Sequence, residues 1–231
     1  VKAGQTRPQH ESAAGANRVV RKACCITEDL TMAGAPSLLQ SLLLLAAFVA
    51  TLAKIGDRSF TIDYDNDCFL QDGEPVQIVS GSMHYYRIHP TDWTDRIKKL
   101  RYAGFNTLET YIEWASHEKE IGKYDFTGAN NFTDFILKAQ EEGMMVLLRP
   151  GPFIDAERDM GGLPYWLLRE DPNIKLRSMD PTFVKFVDAW YADGLLPELK
   201  PLLYSNGGPI IMVQVENEYG ADPTCDYEYT S

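Results

Sequence analysis

The chain has 231 residues, of which 45% are apolar, 24% are charged and 11% are aromatic, and its formal net charge is −11. This length allows one domain of ordinary size or part of a larger one, and the composition is that of a globular protein. Because an acidic surface repels phosphate backbones, the charge argues against nucleic acid as a partner.

Residues 32–53 have the pattern of a secretory signal peptide. An apolar core from Leu42 to Val49 is followed by small residues, and cleavage is predicted near Ala53. Because the apolar run is shorter than the roughly 20 residues that span a bilayer, a removed signal is favoured over a membrane anchor. Residues 1–31 then precede the start at Met32 and are interpreted as translated upstream sequence, with a disordered N-terminal tail as the alternative.

From residue 59 onward, strand-like and helix-like segments alternate along the chain. The predicted elements are a hairpin over 60–76 with its turn at Asp72-Gly73, a strand over 77–81, a helix over 92–102, a strand over 106–112, a helix over 131–142, a strand over 144–148, a largely helical stretch over 181–203 with a break near Gly194 and Pro197, and a strand over 210–215. This alternation predicts parallel βα units and an α/β fold.

Two of the predicted helices have a clear apolar face. The first is expected to bury Trp93, Ile97 and Leu100, and the second to bury Phe132, Phe135, Ile136 and Ala139. The second helix also starts at a sequon for N-glycosylation, Asn131-Phe132-Thr133, which fits entry into the secretory pathway.

Cysteine and histidine residues show no spacing suited to a metal site. They are Cys24, Cys25, Cys68, Cys225, His10, His84, His89 and His117. No CxxC pair or zinc-type Cys/His spacing occurs among them. The sequence therefore predicts no metal and no other cofactor. It does not predict a disulfide between Cys68 and Cys225, which lie far apart in the chain, and it leaves open a partner for Cys225 beyond Ser231.

The run GGPIIMVQVENEYG, residues 207–220, combines a strand with a cluster of polar groups. Residues 209–215 are predicted to form a buried strand, which leads into Gln214, Glu216, Asn217, Glu218 and Tyr219. Carboxylates at the end of a buried strand are unfavourable unless they are hydrogen-bonded or in use. Since α/β folds place their active sites at the carboxyl ends of strands, the run predicts an active site.

This run resembles the signature of glycoside hydrolase family 35, the β-galactosidases that include the lysosomal enzyme of animals. The resemblance extends from about residue 59 to about residue 229, through SGSMHYYR (80–87), TYIEWASHE (110–118), LLRPGPFIDAE (147–157) and GGLPYWL (161–167). Other barrel glycosidases, such as β-glucosidases and β-mannanases, share the Asn-Glu pair. They do not explain the runs at 161–167 and 207–220 together.

The resemblance implies both a fold and an activity. It implies a (β/α)8 TIM barrel, with residues 59–231 forming about its first half, four βα units, and with β-rich domains after the barrel. The activity would be removal of terminal β-linked galactose from galactosides by a retaining mechanism, in the lysosome or outside the cell. The nucleophile is expected beyond Ser231, so the chain as given is expected to be inactive. A truncated, non-catalytic galactoside-binding protein is the alternative.

A retaining mechanism uses two carboxyl groups about 5 Å apart. By resemblance, Glu218 is the acid/base, and Asn217 hydrogen-bonds the sugar at its 2-hydroxyl. Strand alternation alone does not choose between Glu216 and Glu218, which would face the same side. The choice of Glu218 rests on the resemblance, and it requires a bulge or the end of regular pairing there. Glu216 is then expected to pair with a neighbouring Arg or a backbone group.

Four further positions match the family's sugar contacts, namely Tyr85, Ile154, Asp155 and Glu157. For Tyr85 the alternative is a packed aromatic residue whose hydroxyl bonds the backbone, and for Glu157 it is an ion pair with Arg158 or Arg149.

The chain also departs from the family pattern. Glu113–Lys119 replaces a loop that often reads PWNxHEP, and Arg158 stands where relatives often have Trp. These changes leave the fine substrate preference open. Trp114 and Trp166 are interpreted either as platforms for sugar rings or as core residues.

Overall fold

A computed structural model describes residues 58–231 of the chain. The predicted signal peptide at 32–53, the upstream segment 1–31, and Cys24 and Cys25 lie outside the described residues. The strands are β1 (Phe60–Asp63), β2 (Cys68–Gln71), β3 (Glu74–Val76), β4 (Ser80–Ser82), β5 (Thr107–Tyr111), β6 (Met145–Gly151) and β7 (Ile210–Val215). The α-helices are α1 (Trp93–Tyr102), α2 (Trp114–His117), α3 (Phe132–Glu141), α4 (Trp166–Glu170), α5 (Pro181–Ala189) and α6 (Leu196–Leu199).

Strands β1, β2 and β3 form a small antiparallel sheet in that order. The predicted turn at Asp72-Gly73 is confirmed, and both residues have left-handed φ angles, 54° and 84°. Such angles match the right-handed twist of the two strands that the turn connects. The prediction of a simple hairpin is incomplete, because β1 adds a third strand whose Phe60 lies opposite Gln71.

Strands β4, β5, β6 and β7 form a parallel sheet in chain order, with helices in each connection. All four strands lie where the sequence pattern predicted them, within a few residues. The α/β class is therefore confirmed. Within residues 58–231 the sheet is open and no barrel is closed, so the described part of the chain is a partial α/β arrangement.

The core lies between this sheet and the helices that precede and follow β5. The predicted inner face of α3 is confirmed, since Phe132, Phe135, Ile136 and Ala139 are all fully buried. On α1, the Trp93 ring packs edge-on against Phe135, with 5.5 Å between ring centroids. The sheet contributes Leu108, Val146 and Leu148 to the same core.

A second group of aromatic residues packs around α2. The Trp114 ring stacks on Trp190 with centroids 5.9 Å apart and meets the edge of Trp166 at 5.8 Å. All three rings are fully buried. The interpretation of Trp114 and Trp166 as platforms for sugar rings is therefore wrong, and the core alternative is confirmed.

The predicted break in the helical stretch between residues 181 and 203 is confirmed. The residues from Trp190 to Leu195 form a π-helical segment between α5 and α6. A side chain at Gly194 would place its Cβ 3.0 Å from the Tyr124 ring and 3.1 Å from Trp190. The close approach of these rings explains why a residue without a side chain stands at the break.

The prediction that β7 is buried along its length is wrong. Ile210 is 3% exposed, but Val213 and Val215 are 47% and 61% exposed. The reason is the position of β7, which is the last strand of the described sheet and pairs with β6 on one side.

Within residues 58–231, no helix combines the length and apolarity needed to cross a membrane. Cys68 and Cys225 are free thiols.

We expect the Phe135→Ala substitution to lower the free energy of unfolding by about 3–5 kcal/mol, because it removes a buried ring between α1 and the sheet. Leu137→Ala, on the same helix at a position that is 39% exposed, is the matched control. It should change stability by about 0.5 kcal/mol or less. Equal effects of the two substitutions in thermal unfolding would contradict the assigned core face.

Candidate active site

The candidate site begins where β7 ends, at Val215. Glu216 donates its backbone N–H to the Gly151 carbonyl at 2.8 Å, and the pairing of β6 with β7 is irregular there. Glu216 and Glu218 both have left-handed φ angles, 64° and 48°. A non-glycine residue with a left-handed φ angle is strained by about 1–3 kcal/mol, and such residues concentrate at functional sites. The expectation that regular pairing ends at this point is confirmed.

Arg177 holds this turn in place. Its Nε and Nη2 donate to Glu216 Oε2 at 3.0 and 2.6 Å, and its Nη1 donates to Asp222 Oδ2 at 2.8 Å. Nη2 also donates to the Asn217 carbonyl at 2.6 Å. Glu216 is thus a structural partner of an arginine, as the sequence led us to expect.

Two aromatic residues also contact the ion-pair group that Arg177 forms with Glu216 and Asp222. The Arg177 guanidinium carbon lies 3.9 Å from the Phe153 ring centroid, and the Tyr229 hydroxyl donates to Glu216 Oε1 at 2.8 Å. Burial, followed by the negative charge of Glu216, raises the pKa of Tyr229 above its usual range. Tyr229 therefore stays protonated and serves as a hydrogen-bond donor to the carboxylate.

Asn217 lies at the end of a chain of polar contacts that crosses the sheet. Its Oδ1 accepts hydrogen bonds from the Tyr111 hydroxyl at 3.3 Å and from Arg149 Nη2. Arg149 Nη1 donates to Glu109 Oε1 at 3.0 Å, and Ser82 Oγ donates to Glu109 Oε2 at 2.8 Å. Each of the four parallel strands, β4 to β7, contributes at least one residue to this chain of polar contacts at its carboxyl end.

Sequence reasoning missed Arg149, Glu109 and Tyr111 as members of this cluster. A signal was present, because Glu109 and Tyr111 are two residues apart on one strand and so face the same side. The register then sets Tyr111 opposite Arg149 and Glu109 opposite Ser82. A cavity of about 250 Å³ adjoins the cluster and is lined by Glu109, Leu147, Leu148, Arg149, Met212, Val213 and Gln214.

Glu218 follows Asn217 on the turn, and the two predicted residues are thereby brought together. Its side chain is exposed and makes no hydrogen bond within residues 58–231. Asn217, by contrast, is 5% exposed. The exposure of Glu218 has the same origin as that of Val213 and Val215, since all three lie at or beyond the open edge of the described sheet.

Tyr85 lies in the core, apart from this turn. It is fully buried, and its hydroxyl lies 2.6 Å from His117 Nε2. His117 Nδ1 lies 2.8 Å from the Asp125 carbonyl, which can only accept, so Nδ1 carries the proton and Nε2 accepts from Tyr85. Burial lowers the pKa of His117 and raises that of Tyr85. The Glu113 backbone N–H also donates to this hydroxyl at 3.4 Å, so the alternative of a packed aromatic residue whose hydroxyl bonds the backbone agrees with the structure. The predicted sugar contact stays a prediction.

The other predicted contacts lie on the loop after β6. Asp155 and Glu157 are exposed, with left-handed φ angles of 55° and 49°. Ile154 is fully buried, and its N–H donates to the Gly161 carbonyl at 2.8 Å. The Glu157 carboxylate pairs with Arg87 at 3.0 Å, and the predicted alternative partners, Arg158 and Arg149, are engaged elsewhere.

Arg158 and Glu113, two residues that depart from the family pattern, contact each other. Arg158 Nε and Nη2 donate to the two carboxylate oxygens of Glu113 at 2.6 and 2.9 Å. This bidentate pair borders a cavity of about 490 Å³, which is lined by Glu113, Ala115, Ser116, Lys119, Glu157, Arg158, Asp159, Met160, Leu163 and Tyr165. The wall of this cavity next to Glu157 is therefore formed by a charged pair, Glu113 and Arg158.

Comparison with known proteins identifies relatives for most of the chain. The family described as "Glycosyl hydrolases family 35" matches residues 68–231. "Beta-galactosidase" of Mus musculus is 50% identical over 84% of this chain and 30% of its own length. The corresponding values for the Homo sapiens "Beta-galactosidase" are 48%, 81% and 27%. The chain thus spans less than a third of these relatives.

A solved structure resembles the fold at low sequence identity. It is the exo-β-1,4-mannosidase Op5Man5 from Opitutaceae bacterium strain TAV5, with a TM-score of 0.55 and 17% identity. The match covers 72% of this chain and 28% of that protein. At this identity the likeness concerns the fold alone. Together with the family match, it indicates a TIM-barrel glycosidase fold, of which the described residues form a part.

We expect Arg177→Met to destabilise the folded state by about 3–5 kcal/mol at pH 7, because Glu216 and Asp222 would lose their buried counter-charge. Hydrogen bonds from Thr224, and then the charge of Arg177, hold the pKa of Asp222 below its usual value. A carboxylate with a lowered pKa stabilises the fold above the unfolded value of about 3.9 and loses this effect as the pH falls through the folded value.

The difference in stability between the wild type and Arg177→Met should therefore narrow below about pH 4. Thermal unfolding of both proteins at pH 7 and at about pH 3.5 measures this. Arg96→Met, which breaks an exposed pair with Asp95, is the control and should change stability by about 1 kcal/mol or less at both pH values. An unchanged difference at low pH would show that charge pairing is not what Arg177 contributes.

Proposed function

Because this chain belongs to glycosyl hydrolases family 35, we propose that the protein carrying it removes terminal β-linked galactose from galactosides. The relatives named "Beta-galactosidase", at about 50% identity, support this substrate class. The chain covers about 30% of their length, so the activity is proposed for the whole protein. No cofactor is part of this proposal, since the reaction needs two carboxyl groups and water.

The observation that carries the proposal is the turn after β7, which sets Asn217 and Glu218 side by side at the carboxyl end of a parallel strand. We assign Glu218 as the acid/base, which protonates the leaving oxygen and then deprotonates the attacking water. Asn217 would donate a hydrogen bond to the sugar, at the 2-hydroxyl.

A retaining mechanism also needs a nucleophile about 5 Å from the acid/base. The carboxylates of Glu109, Glu113 and Glu216 are each engaged by an arginine, and that of Glu118 accepts from the Trp114 indole at 2.5 Å. These contacts give each of the four carboxylates a structural role. On the family membership, we propose that the nucleophile lies outside residues 58–231 and that this chain alone does not catalyse the reaction.

The remaining sugar contacts belong to the loop after β6 and to Tyr85. Asp155 and Glu157 offer exposed carboxylates to sugar hydroxyls, and Ile154 offers its backbone. Tyr85 is proposed as a contact in the whole protein, and it would have to leave its buried position and its bond to His117 to reach a sugar. The proposal includes passage through the secretory pathway to the lysosome or the outside of the cell, which the signal-like residues 32–53 and the sequon support.

The first test is expression of the complete coding sequence that contains this chain, with an assay on β-galactosides. We expect Glu218→Gln to lower kcat by about 10²–10⁴-fold on substrates with an alcohol leaving group. The loss should be smaller for a dinitrophenyl leaving group, because that group departs without protonation. Exposed Glu228 on the same segment provides the matched control, Glu228→Gln, which should keep wild-type activity.

Two outcomes would contradict the assignment. Equal losses on the two kinds of leaving group would remove Glu218 from the acid role. A wild-type protein that binds galactose but cleaves no galactoside would instead support the non-catalytic binding protein.

We further expect a glycan on Asn131. Its Oδ1 caps helix α3 by accepting from the Asp134 N–H at 2.9 Å, which leaves Nδ2 for the glycan. In protein secreted from animal cells, Asn131→Asp keeps a capping oxygen but should lose the glycan, and Thr133→Ala should lose it too. Thr133→Ser preserves the sequon and should retain it. Mass spectrometry of the peptide that contains Asn131 detects the glycan, and an unmodified wild-type peptide would refute the expectation.

A further inference from the structure

The direction of the Asn217 amide is set by the groups around it. An arginine guanidinium carries only hydrogen-bond donors, so the Asn217 atom that faces Arg149 has to be the carbonyl oxygen. The Tyr111 hydroxyl lies 3.3 Å from the same oxygen and donates to it. If the amide were rotated by half a turn, its NH₂ group would face the Arg149 donor and lose that hydrogen bond. The Tyr111 hydroxyl can donate or accept, so Arg149 is the group that selects the orientation.

Arg149 is itself held on two sides. Its Nη1 forms an ion pair with Glu109 at 3.0 Å, and the side chains of the two residues are 19% and 21% exposed. The guanidinium carbon lies 4.3 Å from the Tyr111 ring centroid, within the range of cation–π attraction. Ser82 bonds the second oxygen of Glu109. A partly buried, charge-assisted group of this kind has little freedom to rearrange.

The nitrogen of the Asn217 amide, Nδ2, makes no hydrogen bond within residues 58–231. Its two N–H donors are therefore available to a ligand. A group that meets them must accept, as a sugar hydroxyl oxygen does. The orientation of one amide thus decides which hydrogen-bonding role the substrate has to take.

We propose that Arg149 is a positioning residue: together with Tyr111 it fixes the Asn217 amide so that its NH₂ group faces the substrate. Glu109 and Ser82 act one step further back by fixing Arg149. The proposal rests on the proposed function, in which Asn217 contacts the 2-hydroxyl of galactose. It adds that this contact depends on an arginine 68 residues away in the sequence, which does not itself touch the sugar.

The test compares an aryl β-galactoside with its 2-deoxy counterpart in the complete protein. On the galactoside we expect Asn217→Ala and Arg149→Met each to lower kcat/KM by about 10- to 100-fold, the range for loss of one hydrogen bond in the transition state. On the 2-deoxy substrate, which lacks the accepting oxygen, both variants should stay close to the wild type. A residue that only stabilises the fold would lower both rates by the same factor.

The double variant Arg149→Met/Asn217→Ala sharpens the comparison. If Arg149 acts through Asn217, the double variant loses no more than Asn217→Ala alone. Multiplied losses, or equal losses on the two substrates, would overturn the proposal, and so would an Arg149→Met protein with wild-type kinetics. Arg96→Met, on the outer surface of α1, is the matched arginine control.

Two further measurements cover a failure of the main variant. Should Arg149→Met not fold, Tyr111→Phe removes one donor to Asn217 and keeps the ring beneath Arg149, and we expect a smaller loss, about 3- to 10-fold, again confined to the galactoside. Should the wild type hydrolyse no galactoside, the proposed function fails. The affinities for galactose and 2-deoxygalactose, measured by calorimetry on the same variants, then test the positioning role separately.

Discussion

The ion pairs of Arg177 hold the segment on which the candidate site is built. One guanidinium contacts the carboxylates of Glu216 and Asp222 and the carbonyl of Asn217, and it lies against the Phe153 ring. These contacts stabilise a backbone turn that two left-handed glutamates make unfavourable by itself. Because the strain lies in the turn and the compensation comes from Arg177, the position of Asn217 and Glu218 depends on a residue that takes no part in the proposed chemistry.

The parallel sheet supplies the second half of the site. Strands β4 to β7 end at one edge, and their final polar residues form a continuous series from Ser82 through Glu109 and Arg149 to Asn217. Each member forms a hydrogen bond with the next, while the buried Nε of Arg149 has no hydrogen-bond partner within residues 58–231. The two halves meet at Asn217, whose main chain is held by Arg177 and whose side chain is held by Arg149. Glu218, one residue later, is the residue that we propose as the acid/base.

Two residues expected to contact a sugar have protein partners within residues 58–231. Tyr85 lies shortly after the end of β4, yet its ring packs among core residues and its hydroxyl bonds His117. Glu157 pairs with Arg87, a partner the sequence did not indicate. In both cases the residue type was compatible with a sugar contact and with a structural contact. The choice between them depends on which neighbours the fold brings within about 3 Å, and no local pattern contains that information.

The sequence by itself determined the elements and their faces. Apolar spacing located β4 to β7 and the buried sides of α1 and α3, because side-chain periodicity is a property of the local backbone. It also located the Asn217-Glu218 pair at a strand end. Only the tertiary structure decided that Glu216 pairs with Arg177, that Arg149 donates a hydrogen bond to the Asn217 side chain, and that β7 is half exposed. Those outcomes depend on contacts between residues 39 and 68 positions apart and on the place of a strand in its sheet, which sequence spacing does not encode.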